Sequence, residues 1–245
     1  MDVWVGGSKE HELPFKVLEF SIKRRTSAEV RIHRLWDVPI DIPTPRHREN
    51  RSRTSFSFRR FTIPEAMGNE GVGLYLDSDM IVMADIAELF RLPHPMKSTL
   101  LCPSRSEVML IDCSLSWCVR RFIEEMDIGR LTYGELLGMT RPDIHGPTIR
   151  AIPREWNCTD FFNETTRLLH YTKMSTQPWL KAGHPFGYLW ERELTDAIGA
   201  GAIRTDDLMT AIDNAFVRPS LATLIAEKPP YDDAKFVFPN DRRAA

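Results

Sequence analysis

No run of about 18 consecutive apolar residues occurs in this chain, so it holds no segment suited to crossing a bilayer as a helix. Cysteine is scarce, at four in 245 residues, and none stands in a CxxC pair. Cys102, Cys113, Cys118 and Cys158 lie in or beside apolar segments. That scatter argues against a zinc knuckle or a disulfide-stapled scaffold and fits core thiols in a reducing cytosol. Neither sign of charge dominates. Lysine and arginine number 32 against 34 acidic residues, a net charge of −2, which gives no general pull towards nucleic acid or an anionic membrane. The opening residues, MDVWVGGSKEHELPF, have no basic lead, no long apolar core and no small-residue cleavage site. The expectation is a cytoplasmic protein without a secretory signal. Internal repeats and low-complexity tracts are absent too.

What remains is an ordinary globular composition, 42% apolar and 27% charged, long enough for one large α/β domain. One domain is expected over residues 1–227, with 228–245 as a peripheral tail. Val3 to Val5 reads as a buried strand ending in Gly6-Gly7-Ser8, and Pro14 opens a helix whose Phe15, Leu18 and Ile22 share a face. Val30 to Leu35 alternates as a second strand. Strand, glycine turn, helix, strand is the opening of an α/β sheet with a ligand crevice at the strands' carboxyl ends. Prolines at 39, 43 and 45 followed by RHRENRSR make residues 37–53 a loop. A helical stretch is expected over Phe56 to Met67 and a strand ending at Asp77. A short helix follows at Ile86 to Phe90. Strands are expected at Thr99 to Cys102, Val108 to Ile111, Thr148 to Ile152 and Arg167 to Tyr171, all in one mixed sheet. LSWCVRRFIEEM reads as an amphipathic helix. A helix at FGYLWERELTDAIGAG and one opened by Thr205-Asp206-Asp207, whose short polar side chains suit a cap, close the domain.

The residues that carry chemistry begin with VGLYLDSDMIV, an apolar run broken by Asp77 and Asp79. Strand alternation would point both carboxylates one way, where they repel and lose water unless a cation lies between them. Asp pairs also cap helices and build turns, so a third ligand is needed. His170 stands out because it ends the apolar run Leu168-Leu169, although a histidine after a strand more often has a structural role. Carboxylate and imidazole together suit Mn²⁺ (or Mg²⁺) better than Ca²⁺ and leave positions for phosphate oxygens. Of the basic residues at 46–60, Arg46, His47, Arg48 and Arg51 read as a solvated loop. Arg59 and Arg60, inside FSFRRFTIPEAM, precede the Asp strand and have the planar fork that grips a pyrophosphate. Gly6-Gly7-Ser8 offers close backbone approach to a nucleotide. Trp156, Trp179 and Trp190, with Met67, Met80, Met83 and Met109, are expected in the core.

In order, VWVGG, LPFKVLEFSIKRRTS, FRRFTIPEAM, YLDSDMIVMADIAELF, VMLIDCS and LLHYTKMSTQPW resemble glycosyltransferase family 8 over roughly residues 2–195. That family includes glycogenin and bacterial galactosyltransferases acting on lipo-oligosaccharide. The resemblance implies an α/β protein of the GT-A fold, with a mixed central sheet flanked by helices. It implies a hexosyltransferase that retains anomeric configuration, using a UDP-sugar donor with Mn²⁺ and a hydroxyl on a glycan, a protein or a small molecule as acceptor. Carried over by position, Asp77, Asp79 and His170 hold the metal, with Asp77 also at the nucleotide ribose. Val5, Gly6, Gly7 and Ser8 hold uracil and ribose, and Arg59 or Arg60 approaches the sugar and phosphates. The family's Lys-Pro-Trp is Gln177-Pro178-Trp179 here, so the pyrophosphate contact falls to Gln177, with Lys173 as a substitute cation. The family's Asn-x-Gly appears as Arg105-Ser106-Glu107, and Glu135 and Asp143 are the candidates for a carboxylate near the reacting carbon. Two alternatives stand beside this reading: an aspartate-nucleophile phosphohydrolase, and a catalytically silent nucleotide-sugar-binding protein.

Overall fold

Two apolar runs, VWVG and VGLYLD, form the neighbouring parallel strands on which the fold is built. The computed structural model describes residues 1–54, 56–102 and 106–225. The expected tail at 228–245 and Arg105 lie outside these residues. The strands are β1 (Asp2–Gly6), β2 (Arg31–Arg34), β3 (Val72–Asp77), β4 (Met80–Val82), β5 (Thr99–Leu101), β6 (Val108–Asp112), β7 (Thr148–Ile149), β8 (Cys158–Thr159) and β9 (Leu168–His170). The chain forms two compact units. The first comprises Met1–Ser8, Thr26–Asp77 and Asp85–Asn157; the second comprises Lys9–Arg25, Ser78–Ala84 and the chain from Cys158 onward.

In the first unit a six-stranded sheet runs β2-β1-β3-β6-β5-β7. β1 is parallel to both β2 and β3, whereas β6 is antiparallel to β3 and to β5. Val3, Val5, Leu74 and Leu76 are fully buried, as strands covered on both faces require. The order places β1 between two parallel neighbours, so the carboxyl ends of β1 and β3 meet at the position where open α/β sheets bind ligands. There Gly6 is in register with Asp77. Below the sheet, Phe61 makes an edge contact with Phe122 at 5.7 Å and a tilted one with Trp117 at 5.6 Å. Gly73 is needed in β3 because a Cβ there would meet Ile63 and Met67 at 3.0 Å.

The second unit holds a three-stranded sheet, β4-β9-β8, with β4 antiparallel and β8 parallel to β9. Its helix at Glu12–Lys23 buries Leu13, Val17 and Leu18. Its helix at Gly187–Gly199 buries Leu189, Trp190, Glu193, Leu194 and Ala197, an i, i+4, i+8 stripe. Trp179 lies 5.5 Å from Trp190 and 6.2 Å from Tyr171, which centres this core on aromatic rings. Ser21 Oγ accepts from the Val82 amide at 3.0 Å and ties the helix to β4. Glu193 is buried in ion pairs with Arg24 and Arg25.

Several expectations change. The Arg167 to Tyr171 strand does not join the main sheet, because β9 pairs with β4 and β8 instead. The expected Phe56 to Met67 helix resolves into a 3₁₀ turn, Arg59–Thr62, and one turn of helix, Ile63–Ala66. The helix expected from Leu115 begins at Val119, since Ser116 takes a left-handed φ of +51°. The last helix is capped by Arg204, and it is the Asp207 carboxylate that accepts from the Arg204 amide at 3.1 Å. Two further helices, Tyr133–Gly138 and Pro142–His145, occupy a stretch to which the sequence reading assigns none. Thr132 and Glu135 form a capping box at the first, and the T-x-x-E signal was there to read. All four cysteines are free, but only Cys102 and Cys113 are buried, while Cys118 is exposed. Trp156, Trp179, Trp190, Met80 and Met109 are buried as expected, and Met67 and Met83 are partly so.

Candidate metal centre

Tyr75 and Asp77 are alternate residues of β3 and share one face, so the Tyr75 hydroxyl donates a short hydrogen bond to Asp77 Oδ1. Arg60 closes on the same oxygen, with Nη2 at 3.3 Å. Its Nη1 donates to the Ser106 carbonyl at 2.6 Å, and the guanidinium carbon sits 4.5 Å from the centre of the Tyr75 ring. Arg60 is 5% exposed, and its Nε has no hydrogen-bond partner. Arg59 points elsewhere, donating to the carbonyls of Leu35 and Val38. The geometry thus separates two arginines that the sequence left equivalent.

Gly6 makes this arrangement possible. A Cβ on Gly6 would fall 2.2 Å from the Tyr75 hydroxyl oxygen. Gly6→Ala is therefore expected to push Tyr75 off Asp77 and cost about 1–3 kcal/mol, read by urea denaturation. Unchanged stability in that variant would show that the close approach imposes nothing. Val5 is fully buried in the sheet, Gly7 is buried and Ser8 is half-buried.

Asp79 reaches the site by a different route from strand alternation. β3 ends at Asp77, and Ser78 and Asp79 form a bend before β4. The Asp79 carbonyl accepts from the Tyr171 amide at 2.9 Å, and the β4–β9 register sets Met80 opposite His170. That register brings His170 Nε2 to 3.0 Å from Asp79 Oδ1. The other oxygen, Oδ2, accepts from Gln177 Nε2 at 3.1 Å. Burial pushes the Asp79 carboxyl up more than any other single influence, but the attraction of His170 and His11 together outweighs it and the net shift is downward. Asp77, Asp79 and His170 each offer one ligand atom to a cation, and Asp79 follows Asp77 by two residues in the chain.

These residues fit a divalent cation on a specific observation. Asp79 Oδ1 is buried, and it lies 3.0 Å from His170 Nε2, a second atom able to ligate a cation. Two ligand atoms at right angles on one cation, with bonds of about 2.1 Å, stand about 3 Å apart. A set of two carboxylates and one imidazole offers a divalent cation three ligands and leaves positions open for other oxygens.

The remaining candidates scatter. Lys173 is exposed, and its amide donates to Asp160 Oδ1. Glu135 accepts from the amide and hydroxyl of Thr132, which hold its carboxyl below the usual range. Asp143 pairs with Arg141 at 2.7 Å, which likewise lowers its carboxyl. Glu107 accepts from Asn157 Nδ2 at 3.1 Å. Sequence reasoning missed Tyr75, although its place two residues before Asp77 on a strand was the available signal. It also missed His11, where burial pushes the imidazole down while Asp79 pulls it up. Nothing local in KEH marks that histidine.

The sequence matches no protein-family model and no curated protein. Solved structures do resemble it. The apo structure of WbbM, a bifunctional glycosyltransferase, matches 87% of this chain with a TM-score of 0.63 and 11% identity, over 51% of its own length. The galactosyltransferase LgtC, crystallised with donor and acceptor sugar analogs, matches 83% with a TM-score of 0.59 and 12% identity, over 100% of its length. The glycosyltransferase GlyE of Streptococcus pneumoniae TIGR4 matches 82% with a TM-score of 0.54 and 18% identity, over 63% of its length. The chain thus spans about half of WbbM, under two thirds of GlyE and the whole of LgtC. Among the described residues no helix is long and apolar enough to cross a membrane. In agreement with the family 8 resemblance of its sequence, the chain has the GT-A fold of these glycosyltransferases.

Proposed function

We propose that the protein is a cation-dependent glycosyltransferase that moves a hexose from a UDP-sugar to an acceptor hydroxyl with retention of configuration. The observation that carries this reading is the 3.0 Å approach of Asp79 Oδ1 to His170 Nε2 on a GT-A fold, two residues along the chain from Asp77. Asp77, Asp79 and His170 would hold Mn²⁺ or Mg²⁺. When bound, the ion supplies Lewis-acid stabilisation of the departing diphosphate. Arg60, already buried beside Asp77 and with Nε unpartnered, is assigned to the phosphates in preference to Arg59. The carboxyl end of β1, Val5 to Ser8, is assigned to uridine. Lys173 is the available cation on the segment after β9.

Retention follows most simply from attack on the donor face that the diphosphate leaves. The acceptor oxygen bonds to the anomeric carbon, the bond to the phosphate oxygen breaks, and that oxygen takes the acceptor proton. Glu135 and Asp143 are held by Thr132 and Arg141, which argues against either as a covalent nucleophile. The chain's own task is orientation and charge placement in a site cleared of water.

The test incubates the protein with a panel of nucleotide sugars and Mn²⁺ and follows sugar release and anomeric configuration by proton NMR. UDP-hexose turnover that EDTA abolishes and Mn²⁺ restores is the expected result. Hydrolysis of simple phosphate esters without sugar release would instead identify a phosphohydrolase. Cation-dependent UDP binding with no turnover on a broad acceptor panel would identify a silent binder, the reading that the loss of a lysine at Gln177 favours.

A further inference from the structure

Gln177 stands where a cationic pyrophosphate contact is implied, yet its side chain faces inward. It is 4% exposed and follows the 3₁₀ turn Met174–Thr176. Its carbonyl accepts from the amides of Leu180 and Lys181, both at 2.9 Å, so the backbone is fixed at that point. The side-chain Nε2 has two neighbours, the Tyr171 carbonyl at 2.9 Å and Asp79 Oδ2 at 3.1 Å. Both neighbours are acceptors, so only the NH₂ end can face them; the flipped amide would set oxygen against two oxygens. The Tyr171 amide in turn donates to the Asp79 carbonyl, tying the same two residues a second time.

We propose that Gln177 is a positioning residue that divides the two oxygens of Asp79, pinning Oδ2 with a neutral donor and leaving Oδ1 for the cation. The inference rests on the metal site proposed above. A carboxylate free to rotate would offer a cation either oxygen in several poses. A donor on one oxygen selects a single monodentate pose, and the buried Oδ1 beside His170 is what that selection leaves. Neutrality matters as much as the hydrogen bond, because an ammonium at the same point would offset the charge the cation needs. The amide is thereby committed to Asp79, and Gln177 is removed from the pyrophosphate-binding set.

The test measures binding of Mn²⁺ alone to the full chain from the electron paramagnetic resonance signal of the free ion, alongside the melting temperature without metal. Gln177→Met keeps the side-chain length but donates nothing, and is expected to weaken Mn²⁺ binding about tenfold to a hundredfold. Gln177→Lys can donate to the same oxygens and is expected to keep the melting temperature while still weakening Mn²⁺ binding about tenfold or more. Mn²⁺ affinity unchanged in both variants, with only the melting temperature lowered in Gln177→Met, would reduce Gln177 to a packing role and overturn the inference. Tighter binding of UDP with Mn²⁺ in Gln177→Lys, at unchanged affinity for Mn²⁺ alone, would return the position to the pyrophosphate and overturn it as well. Absence of Mn²⁺ binding by the unsubstituted protein would remove the metal site itself, and the inference with it.

Discussion

Asp79→Asn is expected to abolish Mn²⁺-dependent stabilisation of the protein and, at neutral pH, to cost the metal-free protein some stability as well, because the fold holds this carboxyl below its usual range. The asparagine keeps the shape of the side chain and an oxygen for Gln177, but removes the negative charge that His170 and His11 favour. Losing an outer partner of a metal ligand costs about tenfold to a hundredfold in affinity, so losing the ligand costs more than about a hundredfold. The readout follows from linkage. Mn²⁺ at one hundred times its dissociation constant adds about 2.7 kcal/mol to the unsubstituted protein, seen as a rise in melting temperature, and the variant loses that rise. His170→Ala is expected to lose it equally, because the two side chains act on one ion. The double variant should then be no worse than either single one, the non-additivity expected of neighbours that serve one function. A metal-induced rise of normal size in both single variants would sink the metal site. It would take the proposed activity with it, since the diphosphate would lack its counter-charge.

Why those two residues meet was only partly legible in the sequence. VGLYLD announces a buried strand, and β3 does end at Asp77. The expectation that Asp79 shares the face of Asp77 by alternation is not met, because Asp79 lies outside the strand. The strand stops, and the bend at Ser78 and the pairing of Met80 with His170 do the work. A register between positions ninety residues apart leaves no trace in local periodicity. His170 could be singled out only by standing at the end of an apolar run and by the family resemblance. Gln177 shows the same limit from the other side. Its place in the chain suggested a phosphate contact, and its partner is a carboxylate 98 residues away. The arginines fail for a more local reason. In a 3₁₀ turn, adjacent residues point about a third of a revolution apart. One therefore lies under the sheet against Asp77 and the other against loop carbonyls, and no composition rule ranks neighbours in RR. Helices with a clear stripe, such as Glu12–Lys23 and Gly187–Gly199, were readable because burial imposes their period directly.

Arg60→Met is expected to lower stability in metal-free buffer by about 3 kcal/mol, against about 1 kcal/mol for Arg59→Met, both measured by urea denaturation. Arg59 loses two hydrogen bonds to carbonyls at 3.2 and 3.4 Å in a half-buried setting. Removing Arg60 takes away the cation beside Asp77, which is 8% exposed and also accepts from the Tyr75 hydroxyl. An uncompensated buried carboxylate is costly in a way that a lost neutral hydrogen bond is not. Two further results follow from that cause. Replacing the carboxylate as well, in Arg60→Met with Asp77→Asn, should recover much of the loss, because the buried charge that Arg60 faced is gone. Adding Mn²⁺ to the single Arg60→Met variant should also recover part of it, since the bound cation replaces the missing positive charge. Equal losses at the two arginines, or a double variant less stable than Arg60→Met, would mean that the Arg60–Asp77 pair is not what holds this edge of the sheet. The site would then keep its metal ligands without the charge balance that Arg60 provides here.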